Sequence, residues 1–217
     1  MKKIDENYFK VEESMKNNRI EDLLDEGEAV LWREKPNKKA YIWSKILGML
    51  PIALIWLLFD GLFIGVAFTD EEFVKSGMIV FLLVFMAIHL MPVWIWIGGI
   101  IKGIKEHKNI EYAFTDRRII IRSGFIGIDF KNIYYSEVSS VNVKVGVVDR
   151  ILKVGDVYIK SNNSASVLCD IRNPYEITSR LQKITMDIKT DIYYPNALRP
   201  DENMGYNTKY KGGNNNG

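Results

Sequence analysis

Few side chains in this sequence could carry out covalent or metal chemistry. The chain has two histidines, His89 and His107, and one cysteine, Cys169. Metal sites, nucleophile elbows and phosphate-binding glycine loops each need a fixed spacing, and none of those spacings occurs. The serines lack a histidine in the predicted β region that could act as a general base. We therefore expect no metal, no cofactor and no catalysis, and we expect Cys169 to be a small buried side chain without a disulfide.

Two polar residues stand out because they interrupt long apolar blocks. Asp60 lies eight residues from Phe68 at the end of the first block, and His89 lies eleven residues from Met78 at the start of the second. At about 1.5 Å rise per residue, their depths in a helical hairpin differ by roughly one turn. We hypothesise that they face each other, since an intramembrane charge usually needs a partner. The alternative is a protonated Asp60 near the outer interface and an uncharged His89 packed against a neighbour.

The apolar blocks that must position this pair cover residues 46–68 and 78–101, and each holds fourteen Leu, Ile, Val or Phe residues. Each block exceeds the roughly 20 residues needed to cross a hydrocarbon core about 30 Å thick. The apolar side chains of the first block favour insertion by roughly 4 to 8 kcal/mol, against a cost of about 2.5 to 3.5 kcal/mol for Asp60. The sequence therefore predicts a two-helix transmembrane hairpin that is a retained anchor.

Basic residues near the ends of the blocks predict the orientation of the hairpin. The link between the blocks, residues 69–77, holds three carboxylates and one lysine. The basic residues on the other side are Arg33, Lys35, Lys38, Lys39 and Lys45 before the first block, and Lys102, Lys105 and Lys108 after the second. The positive-inside rule then predicts a multi-pass protein of the plasma membrane with both termini in the cytoplasm.

After the second block the pattern changes to short alternating runs, such as Val141-Asn142-Val143-Lys144-Val145. Period two with β-branched and aromatic residues indicates about five to seven half-buried strands between residues 109 and 171. Asn173 and Pro174 are typical of a helix start, and an apolar stripe follows at Ile177, Leu181 and Ile184. Strands followed by one helix predict an α+β domain with an antiparallel sheet.

Four motifs follow one another in this region. They are Glu111-Tyr112-Ala113-Phe114-Thr115-Asp116-Arg117-Arg118-Ile119-Ile120, Val148-Asp149-Arg150-Ile151-Leu152, Val154-Gly155-Asp156-Val157 and Ile171-Arg172-Asn173-Pro174-Tyr175-Glu176-Ile177. In this order they resemble the bacterial pleckstrin-homology-like (PH-like) domain. The stretch 27–32 with Pro36 is similar to the segment that precedes the hairpin in such proteins. The resemblance implies a bent antiparallel sheet or barrel of seven strands with a C-terminal helix, often after a two-helix membrane hairpin, and it implies no ligand site.

These features divide the chain into four regions. They are a cytoplasmic N-terminal segment 1–45, the hairpin 46–101, a PH-like domain 102–186 and a polar tail 187–217. The first segment has the pattern of an amphipathic helix with Ile20, Leu23 and Leu24 clustered, which either folds against the domain or binds a partner. The tail is expected to be disordered, although the aromatic stretch 193–200 could dock on the domain or on a partner.

Basic side chains of the predicted domain are the remaining candidates for ligand contact. Residues 102–185 carry fourteen basic and nine acidic side chains. The candidates are Lys102, Lys105 and Lys108 beside the membrane, and Arg117, Arg118, Arg122 and Lys131 on the first strands. A cation at an anionic headgroup contributes about 1 kcal/mol. The alternative is a solvated strand face plus the orientation signal.

The expected function is a membrane-anchored, non-enzymatic binding or scaffolding module. Its partners would be the lipid bilayer and either a protein or a second copy of the chain, and no nucleic acid is expected. The alternative is a subunit of an oligomeric channel or an accessory subunit of a transporter, with Asp60 and His89 along the path. A PH-like fold does not choose between these functions, because one fold supports many.

Overall fold

The computed structural model describes residues 19–162 and 164–193, and it has the α+β architecture that the sequence predicts. The strands are β1 (Val30–Glu34), β2 (Glu111–Thr115), β3 (Arg118–Ser123), β4 (Asp129–Tyr134), β5 (Val138–Lys144), β6 (Val154–Ser161) and β7 (Ala165–Arg172). The helices are α1 (Lys38–Thr69), α2 (Glu71–Lys75), α3 (Met78–His89), α4 (Met91–Asn109), α5 (Val147–Leu152) and α6 (Pro174–Tyr193). Two short 3-10 helices cover Ile20–Leu23 and Tyr135–Glu137.

The strands form two antiparallel sheets, one of order β1-β2-β3-β4 and one of order β5-β6-β7. Strand β1 precedes the long helices in the chain, yet it pairs with β2, which follows them, with Glu34 opposite Tyr112. The helical hairpin is therefore inserted between two neighbouring strands of one sheet. The β domain thus includes a strand from the segment before the first apolar block.

The main core lies between the two sheets and is closed by α6. Ile119 and Ile133 from the first sheet meet Val157 and Leu168 from the second, and all four are almost completely buried. Leu181 of α6 joins the same cluster, as its place in the apolar stripe predicts. Cys169 is half-buried and packs at the margin of this core.

The outer face of the first sheet is also covered. Ile20 is fully buried against Ala113 and Ile120, and Leu23 and Leu24 pack beside it. The alternation of apolar and polar residues predicts that the strands are buried on one face only. This prediction is wrong for β2 and for most of β3, because residues 20–24 cover the second face of these two strands. Of the two expectations for the N-terminal cluster, folding against the domain is the one found. Residues 1–18 lie outside the described part of the chain.

The second apolar block is bent. Helix α1, with 32 residues, is long and apolar enough to cross a membrane, whereas α3 and α4 meet at 49° and are long and apolar enough only when they are taken together as one broken span. Pro92 accounts for the bend, because proline has no N–H and its ring displaces the carbonyl four residues before it. The Trp94 indole N–H donates to the Ala87 carbonyl at 2.9 Å, across the bend. The single helix predicted over residues 78–101 is therefore two helices.

Helix α6 begins at Pro174, as predicted, and it is longer than expected. Asn173 has a φ of +48°, a conformation that asparagine tolerates, and its carbonyl accepts the Ile177 N–H at 3.1 Å. The helix continues to Tyr193, so residues 187–193 are helical rather than part of a disordered tail. The rest of the predicted tail, residues 194–217, lies outside the described residues.

Candidate functional site at the base of the hairpin

Two helical segments of eight residues join the apolar blocks to the sheet, and we call them the neck. They are residues 38–45 of α1 and 102–109 of α4, and each is about 12 Å long. The connections beyond the neck are short, because residues 35–37 alone separate β1 from α1, and Ile110 alone separates α4 from β2. The neck therefore has no flexible linker to the sheet.

Contacts across the neck hold its two segments together. The His107 Nε2–H donates to the Pro36 carbonyl at 2.8 Å, and the Tyr41 hydroxyl donates to Glu106 at 3.4 Å. At Gly103 an added Cβ would lie 3.1 Å from a side-chain carbon of Lys45, so the absence of a side chain permits close approach. The domain is consequently held at a fixed orientation to the base of the helices.

Strand direction divides the loops between two ends of the domain. Strand β2 starts at the neck and its five residues run away from it, so its turn to β3 lies about 15 Å from the neck. Strand β3 returns, which places the β3–β4 loop beside the neck. The observed contacts agree, because the Asn109 side-chain amide donates to the Gly124 carbonyl at 3.1 Å.

The predicted membrane contacts at Arg117 and Arg118 are not supported by this geometry, because both residues lie at the end away from the neck. The Arg118 guanidinium is buried and donates to both carboxylate oxygens of Glu28, at 2.8 and 3.0 Å. Arg117 pairs with Asp25 at 3.2 Å. The strand face is therefore not solvated at Arg118, and the positive charge of Arg118 is already neutralised by Glu28 inside the protein.

Burial disfavours the charged form of Glu28, and hydrogen bonds outweigh that effect. The donors are the Arg118 guanidinium, the Asp25 backbone N–H and the Thr115 hydroxyl. The net result holds the pKa of Glu28 below its ordinary value of 4.5.

The three lysines of α4 lie in the neck, where the sequence places them. The Lys102 Nζ is 3.5 Å from Glu106, and the Lys105 Nζ lies 5.7 Å from the centre of the Phe125 ring. Lys108 is exposed one turn further on. Contact between these lysines and lipid headgroups remains a prediction.

Asp60 and His89 meet between α1 and the end of α3. The His89 Nδ1 lies 2.8 Å from Asp60 Oδ1, and the His89 ring stacks near Trp56 and Phe85. Asp60 is 1% exposed, and its second oxygen has no hydrogen-bond partner among the described residues. The pair therefore joins α1 to the bend in the second block, and its functional role remains a prediction.

An open groove of about 1150 Å³ lies between β1, the residues that lead into α1, and α6. Trp32 and Phe114 stack at 4.4 Å in its apolar part, beside Ile177 and Ile184. The charged residues that line it are Arg33, Lys35, Lys38, Lys39, Arg172, Arg180, Glu34 and Glu176. Arg33 is already paired with Glu21 and Glu111, and Arg180 with Glu176. The remaining cations, Lys35, Lys38, Lys39 and Arg172, outnumber Glu34 and make this β1–α6 groove basic. Strand β1 is also an edge strand of its sheet, and an edge can accept another strand.

A smaller groove of about 540 Å³ lies on the other side of α6, against β5. There the Gln182 side chain donates to the Val141 carbonyl at 2.8 Å, and Lys189 donates to the Val138 carbonyl. These donors already occupy carbonyls of β5, whereas the β1–α6 groove has a larger volume and a charged rim. The β1–α6 groove is therefore the better candidate for a ligand.

A buried carboxyl group lies where the neck meets the second sheet. The Asp170 backbone carbonyl accepts the Asn37 N–H at 3.0 Å. Burial, followed by the negative charges of Asp156 and Asp149, raises the pKa of Asp170 to about 7, although the Lys45 ammonium acts in the opposite direction. The protonation of Asp170 is thus set by its position beneath the neck.

The sequence did not predict the β1–α6 groove. Its walls come from residues 31–39 and 172–184, which are far apart in the chain. The available signal was the β-branched and aromatic run Val30-Leu31-Trp32, which is typical of a strand. Among the described residues, no group of three or more His, Cys, Asp or Glu side chains is placed to hold a metal ion.

Comparison with known proteins gives one result. The family model described as bacterial PH domain matches residues 46–185. That range covers both apolar blocks, strands β2 to β7 and the first part of α6. No curated protein and no solved structure matches the chain.

Proposed function

Since the chain belongs to the bacterial PH domain family, we propose that it is a non-enzymatic binding module that its helical hairpin anchors in the plasma membrane. Helix α1 would cross the bilayer once, and the bent pair α3–α4 would return. The lysine-rich neck then lies at the inner surface, so the domain and both termini are cytoplasmic.

The observation that carries this proposal is the insertion of the hairpin between β1 and β2. The domain is tied to the helices by two chain connections of three residues and one residue. Such an arrangement fixes the height and orientation of the β1–α6 groove below the bilayer. A scaffold benefits from a fixed groove, since less orientational freedom is lost when a partner binds.

The β1–α6 groove suits an extended, acidic segment of a protein partner. Four of its cations lie outside the ion pairs of Arg33 and Arg180 and face one such carboxylate, Glu34, so the groove favours negative charge. Trp32, Ile177 and Ile184 are only partly buried and offer an apolar surface for alternate side chains, and the edge of β1 offers backbone groups for strand addition.

Photo-crosslinking from the groove tests this function. A photoreactive amino acid replaces Leu31, an exposed residue that lines the groove, or Ser139, an exposed residue on β5. In intact cells at native expression we expect a discrete protein adduct from position 31 and none from position 139. Lys35→Glu should weaken the adduct, and Lys160→Glu, on the second sheet, should not. Background labelling from both positions would overturn the proposal.

Transport is a second candidate, and the Asp60–His89 pair is the observation that favours it. A buried carboxylate with one unpartnered oxygen among the described residues is the kind of group found along ion pathways. This function predicts that Asp60→Asn abolishes a measurable flux in reconstituted vesicles. An unaltered flux would remove it.

A further inference from the structure

Two groups of apolar side chains are exposed beside the neck. At the tip of the β3–β4 loop, Ile126 is 93% exposed and Phe125 is partly exposed. On α5, Val147 and Ile151 are 80% and 74% exposed, and their i,i+4 spacing puts them on one face. Exposed apolar side chains in clusters mark interaction surfaces more often than single ones do.

The loop is held against the α4 side of the neck. Asn109 bonds the Gly124 carbonyl, and the Lys105 ammonium lies over the Phe125 ring. Gly124 has a φ of +138°, and an added Cβ would lie 2.1 Å from the Gly127 carbonyl, so the tight turn requires glycine. The sequence therefore specifies the turn that presents the tip at this place.

The depth of the tip follows from helix geometry. Lys105 lies four residues beyond Ile101, the last residue of the second apolar block. Four residues correspond to about 6 Å along α4. The headgroup layer on each side of a bilayer is roughly 5 to 8 Å thick. Phe125, beside Lys105, is thus at the level of the headgroups when the apolar block lies in the hydrocarbon, whereas the loop begins at Gly124 beside Asn109, about 12 Å beyond Ile101.

The second group flanks the other side of the neck. The connection from β5 to β6 contains α5, and α5 contacts α1. Asp149 accepts the Gly146 N–H at 2.7 Å and stabilises the start of α5. Val148 and Leu152 are half-buried towards the domain, which leaves the face with Val147 and Ile151 open.

We propose that Phe125 and Ile126, together with Val147 and Ile151, insert into the headgroup layer of an anionic bilayer and so fix the tilt of the domain. Lys102, Lys105 and Lys108 lie on α4 beside the loop, Arg150 lies on α5 and Lys153 directly follows it, which favours an anionic surface. One group stands beside α4 and the other beside α1, so a flat surface can meet both at once, whereas a protein approaching from one side meets one. The inference rests on the proposed anchoring of the hairpin.

Spin-label accessibility on the full chain tests the inference. Single cysteines replace Ile126, Ile151, Leu58 of α1, and Asn162 at the end of the domain away from the neck, in a Cys169→Ala background. If that background fails to fold, Cys169 is retained, since burial raises its pKa to about 11 and slows its labelling. Each labelled protein is reconstituted into vesicles of phosphatidylglycerol and phosphatidylcholine, and collisions with oxygen and with a water-soluble nickel complex are measured.

We expect nickel collisions at positions 126 and 151 to be several-fold rarer than at position 162. At 126 and 151, as at position 58, collisions with oxygen should be favoured over collisions with nickel. Labels at 126 and 151 that collide with nickel as often as the label at 162, with 58 still shielded, would overturn the inference alone. A label at 58 in contact with water would overturn the anchoring itself. The label at 126 is also measured in nanodiscs that hold one or two chains. If this label is shielded only when two chains are present, and disulfides cross-link those chains, the surface belongs to a second copy and the bilayer contact is overturned.

Discussion

The ion pair between Glu28 and Arg118 closes the first sheet at the end away from the neck. The Thr115 hydroxyl donates to the same carboxylate at 2.7 Å, and both charged side chains are buried. The run Thr115-Asp116-Arg117-Arg118 predicts a turn followed by a basic strand face. It could not reveal that the partner of Arg118 lies 90 residues earlier in the chain.

We expect Glu28→Gln to lower the free energy of unfolding by about 3 kcal/mol, because it leaves a buried guanidinium without its countercharge. Denaturant titration of the full chain in detergent, followed by circular dichroism, measures the change. Because the pKa of folded Glu28 lies below 4.5, its contribution is complete above about pH 4.5 and is lost as the pH falls further. The two proteins should therefore converge in acid.

Arg180→Ala is the matched control for Glu28→Gln. Arg180 pairs with Glu176 on the exposed side of α6, where both side chains meet solvent. The expected loss is below about 0.5 kcal/mol. Equal losses from the two substitutions would contradict a special role for the buried pair.

Asp170→Asn should make stability less dependent on pH. The folded pKa of about 7 lies above the ordinary value of 3.8, so ionisation of Asp170 destabilises the folded state as the pH rises from about 4 to 7. Asparagine has a similar shape, tolerates the φ of +53° at this position and cannot ionise. Its advantage should grow over that range, reach at most about 4 kcal/mol and then level off.

Thermal unfolding of both proteins between pH 4 and 9 measures this difference. Asp129→Asn, at an exposed carboxyl on β4, is the control and should not show the same rise. If Asp170→Asn left the pH profile unchanged, the folded and unfolded states would bind the proton at Asp170 equally well.

At the scale of elements, the type and order of the strands and the start of α6 could be predicted from periodicity and helix-capping residues. The burial of the outer face of β2 and β3 could not be predicted, because the residues that cover it, 20–24, lie about 90 residues before β2 in the chain. One local signal was present, since the three successive isoleucines 119–121 leave neither strand face polar. The bend at Pro92 was hidden by a composition that is apolar on both sides of it.

Ile20→Ala should destabilise the first sheet by about 2 to 4 kcal/mol, the usual cost of a cavity at a fully buried isoleucine. Ile20 is fully buried between Ala113 and Ile120. Ile192→Ala, on the exposed side of α6, should cost less than about 0.5 kcal/mol. The comparison uses denaturant titration, and equal effects would mean that residues 20–24 do not stabilise the sheet.

At the scale of the whole molecule, the helical hairpin is inserted between two neighbouring strands of one sheet of the domain. Because β1 and β2 are antiparallel neighbours, their ends at the neck lie close enough for a two-residue turn to join them. The neck and the β1 wall of the groove follow from this connection. It joins segments 76 residues apart, residues 35–110 lying between β1 and β2, which is beyond the reach of local sequence patterns.

Replacing residues 37–109 with Asn-Gly should give a domain that folds without detergent. The turn would join Pro36 to Ile110, and we expect the stacking of Trp32 and Phe114 to persist in the near-ultraviolet circular dichroism. Stability should fall, because Tyr41 leaves the core. The same replacement combined with Leu168→Asp, which puts a charge in the core, should not fold. An aggregated or disordered product from the first replacement would show that the helices are needed for the sheet to form.

Insertion of the helical hairpin within the sheet also orders the biogenesis of the protein. The ribosome releases β1 first, then both helices, and only afterwards the partner strand β2. If both helices cross the bilayer, they return β2 to the side where β1 lies, and they replace a costly closure of a long random loop. If one helix failed to cross, β1 and β2 would lie on opposite sides of the bilayer and could not pair. Maturation of the domain would then act as an internal proofreading step for the topology of its own anchor.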